Sequence, residues 1–148
     1  MISSELRVAY DGDHAKVVQL LRENSLPYSD VTLKPPQLFM IYQQGAPLLG
    51  VGGLEIYEGV ALLRSLCVAE AIRSQGIGKQ ILTGLLQVAR EKLIHHVFLL
   101  TTTAPDYFKK FGFTEVNRAD VPPPIQASAE FTDLCPGTAQ CLSITLKN

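Results

Sequence analysis

The chain has 148 residues, 13 Lys+Arg against 14 Asp+Glu for a net charge of −1, 47% apolar residues and no Trp. That length fits one domain over residues 1–148, and the balanced charge excludes a protein that gathers nucleic acid through a basic field. No apolar run approaches the roughly 20 residues that cross a bilayer, and Met1 to Glu5 has no secretory-signal pattern, so the expectation is a cytoplasmic domain without a membrane or nucleic-acid partner.

Leu6 to Ala9 alternates and predicts a first strand. Asp11-Gly12-Asp13 supplies a turn and an N-cap for a helix over about 13–24, whose stripe is Val17, Val18, Leu20 and Leu21 and which Pro27 ends. Residues 28–36, rich in Pro, Ser, Asp and Thr, read as a loop or a frayed short helix, either a plain connector or part of a substrate-side wall. Leu38 to Gln43, Leu48 to Tyr57 and Val60 to Val68 are three strands of an antiparallel meander, with turns at 44–47 and 58–59. The period then changes to 3.6. Ile81, Leu82, Leu85, Val88, Ala89 and Leu93 share one face of a helix over 74–93. Val97 to Leu100 reads as a strand buried on both faces. Ala104 to Lys110 is a short helix, Gly112 to Val116 a strand, Ile125 to Phe131 a helical turn and Gln140 to Leu146 the last strand.

Leu62 to Val68 runs into a loop, Arg73-Ser74-Gln75-Gly76-Ile77-Gly78, that opens the long helix. Glycines let backbone N–H groups approach an anion, and a helix start adds roughly half a positive charge. A diphosphate suits that arrangement, as does an ordinary β–α turn. The dinucleotide pattern Gly-x-Gly-x-x-Gly fails because Ile81 stands in place of the third glycine, and the Walker A pattern fails at Arg73 and Gln80.

Arg73-x-x-Gly76-x-Gly78 between a strand and a helix resembles the coenzyme A signature of the GCN5-related N-acetyltransferases (GNAT superfamily). A second landmark, Asn-x-x-Ala-x-x-x-Tyr-x-x-x-Gly-Phe, is matched by Thr101-x-x-Ala104-x-x-x-Phe108-x-x-x-Gly112-Phe113. Leu99 to Thr103, Phe108, Val121-Pro122, Ile125, Glu130-Phe131, Leu134-Cys135-Pro136 and Cys141 resemble the arsenic-resistance-type N-acetyltransferases and the acetylglutamate-synthase-like amino-acid acetyltransferases. The resemblance implies an α+β fold, layered α/β/α, with a mixed, mostly antiparallel sheet. It also implies direct acetyl transfer from acetyl-CoA to the amine of a small molecule, an amino acid or an arsenical or other toxic analogue. A peptide acceptor and a non-catalytic acyl-CoA-binding module are the rival expectations.

On that resemblance, Leu66, Cys67 and Val68 follow the pantetheine arm and Arg73, Ser74, Gln75, Gly76, Ile77, Gly78 and Lys79 cradle the diphosphate, with Phe108 also at the cofactor. The acetyl-accepting amine must lose its proton. Glu55, mid-strand in an apolar run, is the candidate base, or else faces solvent on the alternate side. The usual Tyr that protonates the leaving thiolate is replaced by Phe108. Tyr107, one residue earlier, is turned by about 100° and is not a simple substitute. Thr101, Thr102 and Thr103 bind a substrate carboxylate or the acetyl oxygen, or cap the next helix. Arg64 pairs with an anionic substrate or with Glu55. Cys67, Cys135 and Cys141 are small hydrophobes before they are metalloid ligands. The adjacent His95 and His96 face opposite ways, and no metal site is expected. A homodimer formed through the 122–146 tail is consistent with the family.

Overall fold

The computed structural model describes residues 4–72, 75–134 and 137–147, so Arg73, Ser74 and Cys135 lie outside the described residues. The strands β1 (Ser4–Val8), β2 (Gln37–Gln44), β3 (Leu48–Ile56), β4 (Val60–Val68), β5 (His96–Thr101), β6 (Thr114–Glu115) and β7 (Gln140–Thr145) form one sheet in the order β1-β2-β3-β4-β5-β7-β6. Every neighbouring pair is antiparallel except β4–β5. That parallel pair needs a crossover, supplied by α2 (Ile77–Glu91). The expected mixed, layered α+β architecture is present.

Alternation assigns the two faces. Met40, Leu54, Leu63, Val97 and Leu99 join Ile81, Leu82, Leu85 and Ala89 of α2 in one core. Residues one step along, Phe39, Ile41 and Val51, pack instead with Val17, Leu20 and Leu21 of α1 (His14–Glu23). Leu62, Phe98 and Cys141 meet Ile125 of α4 (Pro123–Gln126) on that same second side.

Some expectations need correction. Asp13 does not cap α1: its carboxylate accepts from the Tyr10 backbone N–H at 3.0 Å and pairs with both Arg7 guanidinium nitrogens at 2.9 and 3.0 Å, because the nearby cation outcompetes a helix N–H. α1 stops four residues before Pro27, at an Asn24 cap followed by Ser25 at φ 58, which turns the chain before proline is reached. Leu93 leaves the α2 face, 66% exposed at φ 61, for the same reason. The strand expected over 112–116 keeps only Thr114 and Glu115, since β6 is an edge paired with β7 alone. The helical turn expected over 125–131 divides into α4 and a π-helical turn at Glu130–Leu134.

α2 lies unusually close to β3. A Cβ added at Gly52 would stand 2.8 Å from Ile81 Cγ2 and 2.9 Å from Leu85 Cδ1, and one at Gly50 would stand 2.7 Å from Ile81 Cδ1. The bare backbone at these positions sets the height of α2 above the sheet. Gly52→Val should therefore lower stability by about 1–3 kcal/mol, read as a reduced urea midpoint, since an overpacked interface must shift.

Candidate functional site

β4 and β5 are paired only over Val60–His96, Ala61–Val97 and Leu62–Phe98. Beyond that point the two strands part. The cause lies on the other edge of β4, where the β3–β4 register shifts between Val51–Cys67 and Gly53–Arg64, so that Gly52 faces two residues. This bulge, with Ser65 at φ 60, bends β4 away. Leu63 to Val68 on one side and Leu99 to Ala104 on the other then line a cleft of about 1010 Å³.

Gly76, Ile77, Gly78 and Lys79 line the same cleft. Gly76 occupies the N-cap of α2 at φ 80, and no side chain caps the helix. The first turn closes with Gln80 N–H donating to Gly76 O at 3.1 Å, so the N–H groups of Ile77, Gly78 and Lys79 precede any intrahelical acceptor. Three backbone donors and the positive end of a 15-residue helix therefore point to an anionic ligand. Gln75 is exposed and is not part of the lining.

Tyr107 and Phe108 both line the cleft, from α3 (Pro105–Lys109). Phe108 is turned into the core, edge-on to Phe113. Tyr107 packs against Phe108 and Phe111 and brings its hydroxyl to the start of α2, where a Cβ on Gly78 would stand 3.0 Å from it. Partial burial raises the Tyr107 pKa, which keeps the phenol protonated. Thr101 Oγ1 accepts from the Ala104 N–H at 3.1 Å, satisfying the entry to α3, while Thr102 and Thr103 are exposed along the cleft.

The far end of the cleft is built on Arg64, whose side chain has no exposed surface. Its Nη1 donates to Glu55 Oε2 at 2.8 Å and to Asp30 Oδ2 at 2.5 Å, Nη2 donates to Asp30 Oδ1 at 2.6 Å, and Nε donates to Ser65 Oγ at 3.0 Å. Glu130 Oε2 lies 3.6 Å from Nη2. Burial alone would lower the Arg64 pKa, but the Asp30 hydrogen bonds and the Glu130 and Glu55 carboxylates outweigh it and hold the charge firmly. The guanidinium also lies over the Phe39 ring, 5.8 Å from its centroid, and that ring packs where any Cβ on Gly53 would be.

Glu55 does not face solvent. It is 5% exposed, its second oxygen accepts from the Tyr57 hydroxyl at 2.7 Å, and it is not among the residues lining the cleft. Arg64 and Glu130 do line it. Glu130 is a cleft residue that pattern reading gave no chemical role. The 28–36 segment is more than a connector, since Asp30 is fastened to Arg64 and Val31 O meets His14 Nε2 at 2.8 Å; the residues just before it, Ser25, Leu26 and Pro27, line the cleft. Cys67 lines the cleft, whereas Cys141 is buried and burial pushes its thiol up to about 11. His95 and His96 are exposed, and among the described residues no group of three His, Cys, Asp or Glu is placed to hold a metal.

Residues 35–115 match the family described as Acetyltransferase (GNAT) domain. A curated Mycobacterium tuberculosis protein named amino-acid acetyltransferase is 35% identical over 75 residues, and the chain spans 42% of its length while the match takes in 50% of this chain. A crystal structure of a Mycobacterium tuberculosis protein in complex with CoA is 25% identical, with a TM-score of 0.80, covering 97% of this chain and 99% of that one. N-acetylglutamate synthase from Neisseria gonorrhoeae, complexed with coenzyme A and N-acetyl-glutamate, shares the fold at 20% identity and a TM-score of 0.81, covering 99% of this chain and 36% of that one.

Removing the buried guanidinium should strip Asp30 and Glu55 of their shared buried cation. Arg64→Met is expected to cost about 3–5 kcal/mol in urea unfolding at neutral pH, with part of the loss recovered when Glu55→Gln is added to it.

Proposed function

This chain belongs to the Acetyltransferase (GNAT) family, and on that footing we propose that it transfers an acetyl group from acetyl-CoA directly to the amine of a small molecule, an amino acid or a toxic analogue of one such as an arsenical. The observation that carries the reading is the parting of β4 from β5 beside the uncapped start of α2. One feature offers an edge of strand, the other a set of N–H donors, and both line one cleft.

The cleft fits the cosubstrate. Backbone N–H groups at Ile77, Gly78 and Lys79 suit a diphosphate without a basic surface, which agrees with a net charge of −1. Leu66, Cys67 and Val68 lie past the last β4–β5 pair, so the strand edge there suits the amide-bearing pantetheine arm. Acetyl-CoA, when bound, supplies an activated acetyl group. Tyr107, protonated and set against the helix start, is the group in this reading that returns a proton to the leaving sulfur, in place of the tyrosine expected at the Phe108 position. Glu55, with one oxygen on Tyr57 and the other on Arg64, positions Arg64 rather than acting as the base. Thr102 and Thr103 offer hydroxyls to the acceptor at the exposed rim. Ser25, Leu26 and Pro27 also line the cleft, and the relative named amino-acid acetyltransferase favours a small molecule over a peptide.

Purified protein given acetyl-CoA and a panel of amino acids, arsenical amino acids, other small amines and short peptides should release thiol with at least one amino acid. Binding of acetyl-CoA with no thiol release across the panel would make the protein an acyl-CoA-binding module, and turnover confined to peptides would move the acceptor class. Gly76→Val should raise the acetyl-CoA Kd about tenfold or more, because a β-branched residue is strained at φ 80 and the cradle would lose its shape.

A further inference from the structure

We propose that Glu130 is the carboxylate that meets the acceptor's ammonium group and takes its proton, an inference that rests on the acetyltransferase reading. Among the described residues it supplies the one carboxylate in the cleft lining. The other ionisable side chains there are Arg64 of β4, Lys79 of α2, Tyr107 of α3, Lys110 just after α3, and Cys67 of β4.

Arg64 cannot take a substrate carboxylate directly. Its side chain has no exposed surface, and its guanidinium already donates to Asp30 and Glu55, from the 24–36 segment and β3. Three carboxylates surround this one guanidinium, and the cleft meets the cluster at Arg64 and at Glu130, of which only Glu130 can accept a proton. The local charge favours a cation. A primary alkylamine at neutral pH is such a cation, and it must shed a proton before it can attack.

Glu130 is also held in place. Ser128 is buried, its hydroxyl donates to Ile125 O at 2.6 Å and accepts from the Phe131 N–H at 3.3 Å, and Thr132 Oγ1 donates to Ser128 O at 3.0 Å. These bonds fix the turn that carries Glu130 to the wall facing the parted strands. At 4% exposure its carboxylate acts in a site largely shielded from water.

The proton balance is simple. The ammonium N–H bond breaks and its proton passes to a Glu130 carboxylate oxygen, leaving a neutral amine. The amine nitrogen bonds the acetyl carbonyl carbon as the carbon–sulfur bond breaks, its second proton ends on the sulfur, and Glu130 releases its own proton to solvent.

The test compares wild type with Glu130→Gln and Glu130→Ala. Acetyl-CoA Kd should stay within about twofold in both, and the thermal midpoint of Glu130→Gln should stay near that of wild type, since Gln keeps the side chain's shape and Asp30 and Glu55 still pair with Arg64. kcat/KM for an alkylammonium acceptor should drop by about 100-fold in Glu130→Gln. Its ratio to kcat/KM for an arylamine, which arrives already neutral, should fall by about tenfold or more. Formate added to Glu130→Ala should restore part of the alkylamine rate. A wild-type-like ratio with no formate rescue would overturn the proposal. So would loss of acetyl-CoA binding by both variants, which would make Glu130 a support of the fold. Acetyl-CoA binding by wild type without turnover of any amine would overturn the acetyltransferase reading itself, and this proposal with it.

Discussion

Two neighbouring parallel strands cease to share hydrogen bonds after Leu62 and Phe98, and the arrangement of the cleft depends on that break. Where two strands part inside a sheet, backbone groups that would have bonded across the gap must find other partners. The rest of the fold keeps the gap from closing. The bulge opposite Gly52 bends β4, β7 pairs β5 along its other edge from His96 to Thr101, and α2 crosses between them. Because Gly50 and Gly52 let α2 settle almost onto the backbone of β3, the helix start is held at a fixed height beside the opening. Strand edge and helix terminus thus become two halves of one recess.

Charge is organised differently at the two ends of that recess. At the α2 end the recess presents partial charges on backbone N–H groups, and the one lysine of that turn, Lys79, is exposed. At the other end a guanidinium is sealed among three carboxylates, with Phe39 beneath it and Ser65 on its Nε. Desolvating such a group is costly, and a buried ion cluster is weak evidence of stability. What the cluster provides is placement: three separate chain segments are brought to one point beside the cleft.

Much of this was legible in the sequence. The meander, the long amphipathic helix and the glycine-bearing turn follow from periodicity and turn chemistry, because each is local. The resemblance at Gly76, Gly78, Ala104, Gly112 and Phe113 then ordered them into a fold. The Arg64 end was not legible, for physical reasons. Glu55 reads as a lone carboxylate in a strand, and nothing local says that Asp30 and Glu130 converge on the same Arg64. Tyr107 and Phe108 read as alternatives separated by a helical rotation, yet α3 is only five residues long and both reach the cleft, one by its hydroxyl and one by its ring. The end of α1 is one such case: proline reads as the stop, whereas left-handed Ser25 turns the chain first.

The tie at Arg64 bears on how the molecule assembles. Glu55 sits one strand away, but Asp30 and Glu130 lie on either side of the 35–115 segment that matches the family. A chain emerging in order has the guanidinium in hand long before its third carboxylate. The closure that buries it is long-range, and non-local contacts cost loop entropy before they return it. Core consolidation by α2 and the meander can run ahead of that step. The Arg64 end of the recess thus joins segments that are far apart in the chain, and it is complete only when all of them have met.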